Sequence, residues 1–277
     1  MNAMTSMKTV GPRTARLFAK LHDRNKLVFD LSTAAELMET DRAGARSILH
    51  AAVRRGLVTR VQRGLYNLVP FELGSATSHL QNRYELAAAL MGERPYFLSH
   101  TSALDLHRLA TQPSFAVYVS TPYHLANRNL AGSELHFVTI PADRMFGVIS
   151  HDLGEGRTVR ISDIERTLID SLTRPEHCGG IIEVAKAFSI ARGRFDSDKL
   201  LAYAHALRRA SVTRRLGYLL EILDLAPTTT LETLHAHLTP GTVALDPELP
   251  VKGARWNQRW GLRLNVTPEE VRNAVSH

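Results

Sequence analysis

Between Leu31 and Val69 the apolar positions recur first at helical spacing and then at the two-residue spacing of strands. Ala34, Ala35, Leu37 and Met38 give one helix its apolar side, and Ser32 stands where an N-cap is expected. Glu39-Thr40-Asp41 reads as a turn. Ala45, Ile48, Leu49, Ala52 and Val53 then fall at i, i+3, i+4, i+7 and i+8, the buried face of a second helix over residues 42–55. Gly56 stops it, because glycine tolerates the left-handed conformation that ends helices. Leu57–Val61 and Leu65–Val69 read as strands, joined at Gln62-Arg63-Gly64. Helix, turn, helix and hairpin together predict a winged helix-turn-helix. An earlier helix over Arg13–His22 and a short extended piece at Leu27–Phe29 complete it.

The pattern changes after Val69. Pro70 and Gly74 punctuate a boundary, so the expected domains are 1–70 and 71–277. The second part predicts a helix over Thr77–Met91, another over Ser99–Leu109, and strands at 115–120, 134–140, 145–149 and 158–161. Helices follow at 162–172, 180–191, 198–206, 211–223 and 231–237. Trp256–Val266 reads as strand, and a closing helix begins at Pro268. Strands followed by helices without strict alternation predict an α+β fold: a winged helix followed by a larger mixed α+β domain.

Charge sharpens this division. The net charge is +7; residues 1–70 carry 12 Lys and Arg against 5 Asp and Glu, whereas residues 71–277 carry 22 of each. A basic module on a neutral body points to a polyanionic partner for that module alone. The second helix is long enough for the major groove of B-DNA, where base edges are distinguishable. The expected DNA-contacting set is Thr33, Arg42, Arg46, Ser47, His50, Arg54, Arg60, Gln62 and Arg63. Arg46 is placed to read guanine, with Ser47 and His50 as shorter partners. Arg42, Arg60 and Arg63 are placed for phosphates or the minor groove. One such helix reads few base pairs, so double-stranded DNA would be bound as an inverted repeat by two protomers. In the second part, Arg208, Arg209, Arg214 and Arg215 suggest a local basic surface.

Catalytic motifs are sparse. The sequence holds no HExxH, CxxC or Walker A element. His177-Cys178 is poor metal spacing, and His235 and His237 would diverge on a helix. Ser99, His100 and Ser102 offer a nucleophile and a base, but nothing nearby completes a triad. Glu183 and Lys186 sit in a segment that reads as helical rather than as a nuclease strand. The chain is therefore expected not to be an enzyme, and to need neither cofactor nor metal. Cys178 is the lone cysteine, so it reads as a buried, inert thiol in a cytoplasmic protein. No stretch reads as a signal peptide or membrane span.

Several stretches carry a resemblance: RGLYNLV (63–69), LSHTSALDLHRL (98–109), VRISDIERTLIDSLTRPEHCGGIIEVAKAF (159–188), RRLGYLLEIL (214–223) and WNQRWGLRLNV (256–266). Together they resemble the AbiEi-type antitoxins of type IV toxin–antitoxin (abortive infection) systems. The resemblance covers most of the chain from Leu31 onward and is loose through residues 121–157. It implies an N-terminal winged helix that represses its own promoter. It also implies a C-terminal domain that neutralises a nucleotidyltransferase-like toxin, directly or indirectly; the four arginines above are the candidate surface for that role. Beside it stands a reading as a winged-helix transcriptional regulator whose C-terminal domain senses a small ligand. The weakest reading is a DNA-cleaving enzyme with a winged-helix targeting module. Read from the residues alone, Ile164, Leu168 and Leu172 are packing positions, whereas Glu165, Arg166 and Asp170 face outward or bridge to a neighbour. Gly217 would admit a neighbouring backbone, and Glu221 would pair with Arg214 or Arg215.

Overall fold

The computed structural model describes residues 10–70, 82–130 and 133–276. The chain has a mixed α+β fold and divides into two compact units. The first comprises residues 1–95, 127–135 and 150–159, and the second 96–126, 136–149 and 160–277. Gly74 and the start of the helix expected from Thr77 lie outside the described residues.

In the first unit, α1 (Pro12–Asp23) starts with proline in its first turn, where the missing N–H costs nothing. It buries Leu17, Phe18 and Leu21. The short strand β1 (Val28–Asp30) runs directly into α2 (Leu31–Met38). Asp30, not Ser32, is therefore the N-cap: its carboxylate accepts from the Thr33 amide at 2.7 Å. Because Leu31 is already helical, Ser32 lies one residue too far along and points to solvent. Glu39 takes the left-handed conformation (φ +53°) that closes α2. Asp41 caps α3 (Arg42–Arg54) through the Gly44 amide at 2.8 Å.

Strands β2 (Val58–Gln62) and β3 (Leu65–Leu68) form an antiparallel hairpin with a register shift between Arg60 and Gln62. β1 adds to β3, giving the order β1–β3–β2. One core joins the three helices to this sheet through Leu17, Phe29, Leu37, Leu49, Leu57 and Leu68. α4 (Arg83–Met91) follows, capped by the Asn82 side chain.

The largest sheet is built from β4 (Phe97–Leu98), β5 (Ala116–Thr121), β6 (Arg128–Leu130), β7 (Ser133–Thr139), β8 (Val148–Asp152) and β9 (Thr158–Ser162). Its order is β6–β7–β5–β4–β9–β8, with β4 antiparallel to β5 and parallel to β9. α5 (His100–Leu106) precedes β5. The helical part of the second unit contains α6 (Ile164–Thr173), α7 (Ile181–Ile190), α8 (Ser197–Leu207), α9 (Ala210–Ile222) and α10 (Thr228–Ala236). Their common core includes Leu168, Leu172, Val184, Phe188, Leu216 and Leu219.

The stretch expected as one strand from Trp256 is a hairpin. β11 (Arg255–Asn257) and β12 (Leu262–Leu264) are antiparallel, and β10 (Val243–Ala244) pairs parallel with β12. Asn257 accepts from the Trp260 amide at 2.9 Å, and Gly261 adopts φ +60°, so the chain reverses between the two strands. α11 (Pro268–Val275) begins with a reciprocal capping box between Thr267 and Glu270.

Two outward-facing assignments are corrected here. Glu165, Arg166 and Asp170 are all buried. Arg166 donates to Asp170 at 2.9 Å and to the carbonyls of Arg144 and Phe146, with its guanidinium over the Phe146 and Phe97 rings. That set of acceptors makes burial of the cation tolerable. Glu221 pairs with Arg259 and accepts from the Trp260 indole at 2.6 Å, leaving Arg214 and Arg215 to other partners.

Candidate nucleic-acid interface

Three cations on α3 and the hairpin face one groove. Arg42, Arg46 and His50 stand at i, i+4 and i+8, a single stripe along α3. Opposite them lie Arg60, Gln62 and Arg63 of β2 and its turn. The groove between holds about 930 Å³ and has Leu31, Val53 and Tyr66 among its apolar lining. Ala89 and Leu90 of α4 also border it. Asp30 is the acidic residue of the lining, and its carboxylate is engaged by the Thr33 amide.

The groove thus gathers six of the nine expected residues. Ser47 and Arg54 are exposed on a neighbouring face of α3 and do not line it. Thr33 is half-buried and lies instead in a separate depression with Asp30, Arg24 and Lys26. The floor formed by Leu31, Val53, Tyr66 and the two α4 residues was not anticipated. Apolar side chains that border a charged groove have the same sequence signature as core residues.

Cations of the first unit are segregated by role. Lys20 donates to the Leu37 carbonyl at 2.8 Å and to Glu39 at 2.9 Å, tying α1 to the end of α2. That contact also lowers the Glu39 pKa. Arg24 pairs with Glu36 at 3.1 Å. Arg13 and Arg16 line a small depression beside Lys20 and Glu39, apart from the groove. By contrast, Arg42, Arg46, Arg54, Arg60 and Arg63 make no ion pair among the described residues, and all five are exposed. Cations held to one side without counter-charges form a surface suited to phosphates.

The second candidate surface is not a surface as drawn. Arg208 and Arg209 are exposed at the α8–α9 junction. Burial and the neighbouring Arg144 and Arg174 depress the Arg209 pKa. Arg214 and Arg215 are only 4% and 5% exposed, which removes half of the expected cluster. Arg214 donates to the carbonyls of Trp260 (3.0 Å) and Thr239. Arg215 donates to Leu245, Leu172 and Ala244 at 2.9, 2.9 and 3.0 Å. Carbonyl dipoles satisfy both guanidiniums, so these arginines fasten the C-terminal segment to α9.

The other sequence candidates are also packed away. Ser120 donates to Ser99, whose hydroxyl meets His100 Nδ1 at 2.8 Å. All three side chains are buried, and burial drives the His100 pKa well below that of free histidine. Ser102 accepts from the Tyr118 amide. Lys186 pairs with Glu183 along α7, and Cys178 is buried with its thiol pKa pushed well up. His235 packs edge-on to Trp260, whereas His237 meets the Thr233 carbonyl through Nδ1.

No family model matches the chain, and no curated protein matches it by sequence. Among solved structures it is similar to the crystal structure of the RV2827C protein from Mycobacterium tuberculosis. The identity is 15% and the TM-score 0.70, over 98% of this chain and 97% of the other. At that identity the likeness concerns the fold. It extends along nearly the whole of both chains, and among the described residues no helix is long and apolar enough to cross a membrane.

Proposed function

We propose that the first unit is a winged helix-turn-helix and that the protein is a DNA-binding transcriptional autorepressor. We further propose that it is the antitoxin of a type IV toxin–antitoxin system, neutralising a nucleotidyltransferase-like toxin encoded beside it. The observation that carries the DNA reading is the groove between α3 and the β2–β3 hairpin. Arg42, Arg46, Arg60 and Arg63 converge there without a counter-ion among the described residues. In this reading α3 enters the major groove and the hairpin tracks the adjacent backbone. The antitoxin half rests on the resemblance to AbiEi-type antitoxins.

A reporter fused to the chain's own promoter, in cells carrying the neighbouring gene, tests both halves. Full-length protein should repress the reporter and restore growth. A chain with Arg46 and Arg63 both changed to alanine should lose repression and keep rescue. Loss of neither function would remove the DNA reading; absence of rescue by the unaltered chain would remove the antitoxin reading.

The small-ligand alternative gains less support. Two depressions in the second unit hold about 230 and 270 Å³, below the usual size of a small-molecule pocket, roughly 300–1,000 Å³.

A further inference from the structure

The two tryptophans of the chain lie four residues apart and have opposite fates. Trp260 is fully buried, whereas Trp256 is 61% exposed. Strand pairing sets Trp256 directly across from Arg263. On β12, Leu262 and Leu264 are buried and Arg263 is exposed, so Trp256 and Arg263 share the outer face of this small sheet. β11 is also an edge strand of that sheet.

Charge there is one-sided. Residues 249–268 contain Lys252, Arg255, Arg259 and Arg263 and no acidic residue, within a half of the chain that is otherwise balanced. Arg259 is taken up by Glu221. Lys252, Arg255 and Arg263 are exposed and make no ion pair among the described residues. Just upstream, Leu249 and Val251 are also exposed large aliphatics. An exposed indole beside arginines has the composition of an interface hot spot. The aliphatic neighbours favour a protein over a nucleic acid, because aromatic stacking platforms for single strands make no use of branched aliphatics.

We propose that this face, centred on Trp256 and Arg263, is a docking surface for a protein that presents carboxylates around an apolar pocket. The assignment rests on the function proposed above, in which that protein is the toxin. The surface replaces the disrupted arginine cluster of α9 as the toxin-facing site.

Full-length variants in toxin-expressing cells test it, with repression of the promoter read in the same cells. Trp256→Ala and the pair Arg255→Glu/Arg263→Glu should each lower survival by about tenfold or more. Repression and thermal midpoint should be unchanged, since all three side chains are exposed. Trp256→Phe should keep most of the rescue. Full rescue by both the alanine and the charge-reversed variants would overturn the docking surface while leaving the antitoxin reading intact. Failure of the unaltered chain to rescue would overturn both. Quenching of Trp256 fluorescence by a single-stranded oligonucleotide at low micromolar concentration, absent in Trp256→Ala, would assign the face to nucleic acid and overturn the protein partner.

Discussion

Trp260 packs flat into the space where Gly217 has no side chain. A Cβ built on Gly217 would lie 2.0 Å from the indole Cζ3 and 2.2 Å from Cη2. Gly217 sits within α9, where glycine costs about 1 kcal/mol relative to alanine. The indole repays that cost by reaching Glu221, one turn further along the same helix.

Gly217→Ala should therefore destabilise the second unit despite its better helix propensity. A Cβ at that distance forces the indole or α9 to move, and overpacking of this kind costs roughly 1–3 kcal/mol. Urea denaturation followed by tryptophan fluorescence should show a lower midpoint. Gly217→Ala as stable as the parent would mean that the indole relocates freely.

Arg46 and Arg63 line the same groove but should report different contacts. Arg46→Ala should cost about 1–3 kcal/mol on the operator and relax the preference at one base pair. Arg63→Ala should weaken all duplexes alike and reduce the salt slope by about one unit. Binding to operator and scrambled duplexes across a salt series separates the two. Equal losses on both duplexes for Arg46→Ala would make it a phosphate contact instead.

Arg215→Met should be severely destabilising, because three buried carbonyls would lose their donor together. Removing one side of a buried polar cluster costs about 3–5 kcal/mol, and thermal unfolding will read it. Arg208→Glu/Arg209→Glu, changing two exposed residues on neighbouring positions, should leave the midpoint within a few degrees of the parent.

Lys199 bridges Asp163 at 3.1 Å and Glu165 at 2.9 Å. Burial pushes the Glu165 carboxyl up, but hydrogen bonds from the Asp196 amide and Lys199 outweigh it and leave the pKa lowered. A carboxyl held below its unfolded value stabilises the fold above that value, near 4.5, and the stability is lost as pH falls through the lowered one. Lys199→Met should raise the Glu165 pKa and flatten that loss. Melting curves between pH 7 and pH 3 should show the smaller acid dependence in the variant; identical slopes would exclude Lys199 as the cause.

Much of the first unit was legible because its signals are local. The apolar spacing of α3 and the strand–turn–strand alternation after Gly56 both lie within a few residues of the structure they specify. The Ser32 assignment failed over one residue: β1 enters α2 without a linker, so the cap falls to Asp30. The second unit hid more. Arg166, Arg214 and Arg215 read as surface residues by type, yet nearly all their acceptors are backbone carbonyls 20 to 46 residues away in sequence. Every residue type carries a carbonyl, so such partners leave no sequence signature. Asp170, the partner four residues from Arg166, was the one readable element of these networks.

The groove was legible in composition but not in grouping. A helical wheel gave Ala43, Ser47, His50 and Arg54 as the exposed face of α3. The hairpin lies instead along the Arg42–Arg46–His50 stripe, which depends on how β2 leaves the helix after Gly56.

The arginine ties of α9 also bear on incomplete copies of this chain. Arg214 is anchored at Thr239 and Trp260, and Arg215 at Ala244 and Leu245, all downstream of α10. A ribosome that stopped near residue 238 would release a chain whose helices are all in place except α11, yet with both guanidiniums facing absent acceptors. The last forty or so residues therefore act as a completeness check on translation. Prematurely terminated products should be cleared by proteolysis rather than persist as a shorter, partly working protein.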